Sequence, residues 1–146
     1  MTTTESYRNT PAITILRTVH RANQALFDGA AHVIEASGLP ASEVDAIFTL
    51  GNTQGLRMSD IAARMLTTAP NVTRVIKNLE KRKLVRRFPN PKSERETIAK
   101  LTRAGEAIFA KYFPLAYRAT RDQIDSCLTG SEQQDLIALL ERITAR

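Results

Sequence analysis

Several kinds of residue are scarce in this 146-residue chain, and each scarcity narrows what it can be. There is one cysteine, Cys127, so no intramolecular disulfide can form and a disulfide-stapled secreted fold is excluded. Tryptophan is absent, aromatic residues make up 5% and glycines number six, a composition that favours helices over a sandwich or barrel. No apolar run approaches the roughly 20 residues that a spanning helix needs. The start, MTTTESYRNT, lacks the basic stretch and apolar segment of a secretory signal, and with the lone cysteine this predicts a cytoplasmic protein. With two histidines in the chain, the best metal pair is His32 and Glu35, one turn apart, which is a poor ligand set; no metal and no cofactor is expected. No nucleophile–base pattern, phosphate loop or carboxylate pairing rises above chance, so no enzymatic activity is expected.

Positive charge is what the chain has, and it is concentrated. From Arg74 to Arg103 there are eleven Lys/Arg against three Asp/Glu, an excess of 11 − 3 = +8 in a chain whose total is +6, so the remainder carries 6 − 8 = −2. Charge confined to one short stretch is the electrostatic footprint of a surface that meets a polyanion. Hydrophobic residues make up 42%, enough for an ordinary folded core and not a disordered tail.

The hydrophobic periodicity organises the chain. Residues 1–10 are polar and expected to fray. A helix of about 25 residues starts at Pro11 and stops at Gly38, with apolar residues from Ile13 to Ile34 at helical spacing. A second begins after Pro40, with Ser42 as its N-cap and Val44, Ile47 and Phe48 facing inward, and ends near Gly51-Asn52. Ser59 is expected to cap a short helix bearing Ile61, Ala62, Met65 and Leu66. Thr68 caps the next, in which Val72, Val75, Ile76 and Leu79 follow the i, i+3, i+4, i+7 rule. Leu84–Phe88 and Thr97–Leu101 read as two strands joined by a polar tip of Pro89, Asn90, Pro91 and Ser93. Thr102 caps a long helix through Leu128 that Pro114 should bend. A last helix is expected from a Ser131 cap with Gln134 completing a capping box.

This order is a winged helix-turn-helix over residues 39–102, flanked by helices over 1–38 and 103–146. The fold class is mainly α, with a small β part (α+β). The flanking helices carry apolar stripes that the winged unit is too small to cover, which predicts a dimerisation region and a symmetric homodimer. Such a dimer sets two recognition helices about 34–36 Å apart, one duplex turn.

In a helix-turn-helix the second helix enters the major groove with its N-terminal residues nearest the bases. Here these are Pro70, Asn71, Thr73 and Arg74. Asparagine suits adenine, arginine suits guanine, and Thr or Pro suits a thymine methyl. Lys77, Asn78 and Lys81 lie further along, in reach of phosphates, and Ser59 and Thr68 offer hydroxyl donors to a phosphate at a helix start. Lys92 and Arg95 at the wing tip and Arg86 and Arg87 on its strand complete the candidate DNA surface, with Arg95 suited to a narrow minor groove.

The run SDIAARM…VTRVIKNLEKRKLVRRFPNPKSERETIAKLTRAGEAIF resembles the MarR family of bacterial and archaeal regulators. The resemblance rests on Ile61-Ala62, Val72-Thr73-Arg74 with Leu79-Glu80, Leu84-Val85-Arg86-Arg87, Arg95 in the wing, and Leu101-Thr102 with Gly105. Two positions depart from the family pattern. Ser93 stands where the family has an aspartate that steadies the wing arginine, leaving Glu94 or Glu96 to substitute or the wing looser. Lys83 stands where it has glycine, and since a left-handed backbone costs a non-glycine residue about 1 kcal/mol, a different end to the recognition helix is expected. The resemblance implies a homodimeric transcriptional regulator, a repressor released from a palindromic operator by a small ligand, often an anionic aromatic one, held between the dimer helices and the winged unit. Arg17, His20, Asn23 and Phe27 on the first helix, with Tyr112 on the fifth, are the candidate ligand residues; the other reading makes His20 and Asn23 polar groups satisfied across the dimer. Cys127, at the far end of a helix, is not placed where the family's redox sensors are. Two further functions stand beside the regulator: a nonspecific architectural DNA binder, and a winged-helix protein-interaction module. The second would show apolar or acidic residues where this chain has Asn71, Arg74 and Lys77.

Overall fold

The computed structural model describes residues 10–145, the side chain of Glu94 excepted, so most of the frayed start expected over residues 1–10 lies outside it. In chain order the elements are α1 (Pro11–Ser37), α2 (Ala41–Leu50), β1 (Leu56–Arg57), α3 (Met58–Arg64), α4 (Ala69–Lys81), β2 (Val85–Asn90), β3 (Ser93–Leu101), α5 (Arg103–Cys127) and α6 (Gly130–Thr144). Two compact units result: Val33–Ala116, and a helical unit from the chain on either side of it. The divisions fall after 32 and 116, where the sequence predicted 38 and 102. The reason is packing, because Val33 at the end of α1 is buried, and the first half of α5 contributes Phe109 to the core of the winged unit.

That core explains why the middle of the chain folds. Val72, Val75, Ile76 and Leu79 on one face of α4 are buried against Ile47 and Leu50 of α2, Ile61 of α3, and Val85, Ala99 and Leu101 of the sheet. Fully burying each branched side chain contributes about 1.5–3 kcal/mol. Phe48, Phe109 and Phe113 extend the cluster, with Phe109 and Phe113 stacked at 4.7 Å and Phe48 edge-on to Phe113 at 5.2 Å. The sheet is antiparallel in the order β1-β3-β2. Val85 faces Leu101 and Phe88 faces Ile98, with a register shift between Pro89 and Asn90. Both strands run longer than predicted, so the tip narrows to Pro91 and Lys92.

Three helix starts differ from expectation. In α2 the N-cap is Pro40, whose carbonyl accepts from the Glu43 and Val44 amides, and Ser42 lies inside the helix. In α3 the cap is Arg57, because Leu56–Arg57 is held extended as β1 against Ile98 and Ala99, and Ser59 falls in the first turn. The last helix starts two residues early. Thr129 and Glu132 form the capping box in place of Ser131 and Gln134, and a carboxylate serves a helix N-terminus better than an amide does. The Thr129 amide and hydroxyl hold the Glu132 carboxyl below its ordinary value. Along α5 the helix continues through Pro114. It starts, as expected, at Thr102, whose hydroxyl accepts from the Gly105 amide.

The turns that bound the recognition helix share one backbone device. Thr67 donates to the Ala62 carbonyl and Leu66 to that of Ala63; Leu84 donates to Leu79 and Lys83 to Glu80. Both sets are Schellman closures, which need a left-handed residue at the penultimate step. Leu66 (φ 49°) and Lys83 (φ 60°) adopt it without being glycine. The departure at Lys83 therefore leaves the end of the helix in the form a glycine would give, at a cost of about 1 kcal/mol.

Candidate nucleic-acid interface

The face of α4 opposite its buried stripe is polar and basic. Thr73, Arg74, Lys77 and Lys81 are exposed, as is Pro70 at its start, while Asn71 and Asn78 are half-buried. Thr68 caps the helix by accepting from the Asn71 amide at 3.4 Å. The Asn71 side chain is engaged at both ends: its Nδ2 donates to the Thr67 hydroxyl at 2.9 Å, and its Oδ1 accepts from Arg74 Nη2 at 2.7 Å. Thr73 donates its hydroxyl back to the Ala69 carbonyl at 3.0 Å. Ser59 and Thr68, the other candidate hydroxyls, are exposed.

Two ion pairs fix the far end of α4. Glu80 accepts the Arg87 backbone amide at 3.2 Å and takes its guanidinium through Nε at 2.8 Å and Nη2 at 2.7 Å. Arg87, a candidate DNA contact, thereby also braces α4 against β2. The second pair is Arg82, the C-cap of α4, with Glu43 in the first turn of α2 at 3.0 Å. The Glu43 side chain is 4% exposed against 49% for Arg82. The contact is close in distance but off the hydrogen-bonding direction, so Glu43 Oε2 has a charge partner and no directed donor. Each charge suits its place, since an anion sits at a helix start and a cation at a helix end.

A third network steadies the sheet side of the wing. Arg57 on β1 binds Asp60 through Nε at 2.8 Å and Nη2 at 3.0 Å and reaches Glu96 on β3 at 3.3 Å. Glu96 in turn accepts from Asn90 Nδ2 at 2.7 Å, and the Asn90 side chain accepts the Lys92 amide at 3.0 Å. The Arg57 hydrogen bonds hold the Asp60 carboxyl below its ordinary range, and Asp60 and Glu96 raise the Arg57 pKa. Glu96 grips Arg57 and the wing's turn and not Arg95, so the carboxylate contact to the wing arginine that Ser93 lacks is not supplied by Glu96; Glu94 lies outside the described side chains. Lys92 and Arg95 are exposed at the tip, and Arg86 is exposed on β2 with its guanidinium 5.8 Å from the centre of the Phe88 ring.

The candidate ligand residues fall in different units. Arg17, His20, Asn23 and Phe27 are all exposed on α1 in the helical unit. Tyr112 belongs to the winged unit, where its hydroxyl donates to the Ala36 carbonyl at 2.9 Å and Lys111 Nζ lies 4.9 Å over its ring. Cys127 is exposed at the end of α5. Among the described residues no group of three or more His, Cys, Asp or Glu is placed to hold a metal, and no helix is long and apolar enough to cross a membrane.

Arg57, Glu43 and the tie from Glu80 to Arg87 are not among the residues that the sequence singles out. Only Arg57 left a local signal, since Arg57 and Asp60 sit three apart at a helix start; the others join residues that only the fold brings together. A model of the MarR family matches residues 39–97 of the chain. YkoM, an uncharacterized HTH-type transcriptional regulator of Bacillus subtilis (strain 168), is 31% identical over 133 residues, which cover 90% of this chain and 84% of YkoM. Among solved structures, AbsC, a MarR family transcriptional regulator from Streptomyces coelicolor, aligns with a TM-score of 0.80 at 22% identity, over 99% of this chain and 95% of AbsC. Another MarR family regulator from Streptomyces coelicolor, solved in complex with DNA, aligns with a TM-score of 0.75 at 26% identity, over 90% of this chain and 84% of its own.

Proposed function

This chain belongs to the MarR family of transcriptional regulators, and from that premise we propose that it is a homodimeric repressor that binds a palindromic DNA operator and leaves it when a small ligand binds. The observation that carries the DNA part is α4, which buries four apolar residues on one face and turns Thr73, Arg74, Lys77 and Lys81 outward. In this reading Arg74 reads a base edge, while Lys77, Lys81 and Arg86 meet phosphates, and Lys92 and Arg95 carry the wing tip towards a minor groove. Arg87 contributes through Glu80, by holding the wing's first strand to the recognition helix.

The dimer is supported by α6, which buries none of its residues, and by Leu16, Val19, Leu139 and Ile143, all exposed large apolar side chains in the helical unit. A face of that kind in a monomer is a surface waiting for a partner, and a second copy supplies the same stripe. The effector in this reading is a small anionic aromatic compound. Support comes from Arg17, His20 and Phe27, a cation, a donor and an aromatic wall left exposed on one helix.

Fluorescence anisotropy on the DNA upstream of the protein's own gene, beside a scrambled duplex at two salt concentrations, tests the reading. A preference for the upstream DNA that survives the higher salt is the expected result. Equal, steeply salt-sensitive binding to both duplexes would replace it with an architectural DNA binder. Sedimentation velocity tests the dimer, with a particle of twice 16.2 kDa expected and a monomer at micromolar protein refuting it.

A further inference from the structure

We infer that Asn71 does not read a base but is the positioning residue that aims Arg74 at a guanine. The inference rests on the reading of α4 as the DNA-reading helix. Its observation is the relay at the start of that helix, in which Thr67 receives from Asn71 Nδ2 at 2.9 Å and Asn71 Oδ1 receives from Arg74 Nη2 at 2.7 Å.

The chemistry fixes which end of the amide points where. A guanidinium only donates, so the group facing Arg74 is the amide oxygen, and the NH2 end must face the Thr67 hydroxyl. Reading adenine requires the opposite commitment: the same amide must turn both its oxygen and its NH2 towards one base edge. Here its two ends are occupied by neighbours on the protein, one at i−4 and one at i+3. Arg74 is in the complementary position. One N–H of its fork is used on Asn71, and the remaining donors are enough for the O6 and N7 acceptors of guanine. An arginine already held in one orientation loses less side-chain entropy when it binds.

The anchor of the relay is itself fixed by the backbone. Thr67 closes the Schellman turn by donating to Ala62, and that turn needs the left-handed Leu66. Leu66 is 93% exposed, so its own packing does not account for its strained backbone. The strain instead sets Thr67, which sets Asn71, which sets Arg74. Each step is a hydrogen bond or a fixed backbone angle.

The test compares wild type, Asn71→Ala, Asn71→Asp and Arg74→Ala by selection from a duplex library with a randomised central stretch. The Asn71→Asp variant keeps an acceptor for Arg74 but has no donor for adenine, so the two roles separate. Arg74→Ala should abolish a guanine preference of about ten- to hundred-fold at one position per half-site. Asn71→Ala should weaken preference at that same position to within about threefold of Arg74→Ala. Asn71→Asp should keep the guanine preference while binding every duplex more weakly. Circular dichroism of each variant should match wild type, because the Asn71 backbone cap on Thr68 is untouched. Loss of preference at a different, adenine-bearing position in both Asn71 variants would overturn the inference and make Asn71 a reader. Unchanged guanine preference in Asn71→Ala would also overturn it. A wild-type protein with no preference at any position refutes the underlying reading of α4 instead, and takes the inference with it.

Discussion

Replacing Gly105 with alanine would set a methyl carbon 2.2 Å from the Leu84 carbonyl oxygen and 3.1 Å from a Leu101 methyl. Carbon and carbonyl oxygen ordinarily approach no closer than about 3.3 Å, so the overlap is roughly 1 Å. The carbonyl is not free to swing away. It accepts the Thr102 amide at 3.0 Å and follows directly on the left-handed Lys83 that ends α4. Relief therefore requires the start of α5 to move against the start of β2, which shifts the wing relative to the recognition helix. Overpacking costs about 1–3 kcal/mol, with backbone-on-backbone cases at the upper end, and alanine returns up to about 1 kcal/mol of helix propensity. The expected net loss is about 2 kcal/mol. Gly29→Ala is the matched control. Its added carbon also meets an atom at 2.2 Å, but that atom is Gln123 Oε1, the far end of a flexible side chain. Turning Gln123 away forfeits its hydrogen bond to the Ala25 carbonyl, so propensity and lost bond nearly cancel, within about 0.5 kcal/mol. Urea unfolding followed by circular dichroism reads both, at one fixed protein concentration because association adds to apparent stability. A Gly105→Ala protein as stable as wild type, or less affected than Gly29→Ala, would refute the claim that the Leu84 carbonyl is immovable.

Three further outcomes follow from features of the winged unit. Lys83→Gly should raise stability by about 1 kcal/mol by removing left-handed strain, whereas Lys83→Ala, which keeps the strain, should not; equal urea midpoints for the two would contradict this. Glu80→Ala and Arg87→Ala should each lower stability by about 1–2 kcal/mol, with the double variant losing little more than either single one, whereas Arg86→Ala, which gives up only an exposed contact with the Phe88 ring, should cost less than about 1 kcal/mol and reduce the salt slope of DNA binding by about one. Burial lifts the Asp45 carboxyl above its ordinary 3.8, so the folded state holds that proton more tightly than the unfolded one and the penalty on the ionised form is complete at neutral pH. Asp45→Asn should accordingly stabilise at pH 7, with the gain shrinking as pH falls through the raised value towards 3.8; a gain independent of pH would rule this out.

The core of the winged unit was readable because its signal is periodic. Val72, Val75, Ile76 and Leu79 repeat at helical spacing, and all four are buried. The two-residue β1 was not readable, since no pattern of period two can show in a pair of residues; what makes it a strand is its ladder with β3. At the start of α6 two capping frames overlap, Thr129 with Glu132 and Ser131 with Gln134, and the spacing fits both; the carboxylate of Glu132 at the helix N-terminus decides between them. The candidate DNA side chains were legible as residue types on a face, but their partners were not. Glu80 and Arg87 are seven apart across a helix–strand joint, and Glu43 and Arg82 are brought together only by the packing of α2 near α4. Asn71 and Arg74 were visible as helix neighbours, yet Thr67, which orients them, lies before the helix begins. The expectation at Lys83 failed for a different reason: the closing hydrogen bonds belong to the backbone, and they impose the left-handed angle on whatever residue occupies the position.

The pair formed by Glu43 and Arg82 has a consequence for how the sequence can drift. The two members are unequal, since one is buried in the first turn of α2 and the other is half in water at the end of α4. Losing Arg82 first strands a buried carboxylate, whereas losing Glu43 first leaves a solvated arginine where the end of a helix still favours it. Descent through single substitutions is therefore one-way: the acid goes before the base can. Related sequences should include ones that keep a cation at position 82 over a neutral residue at 43. The reverse combination, an acid at 43 with nothing positive at 82, should be missing unless another cation has moved in beside it.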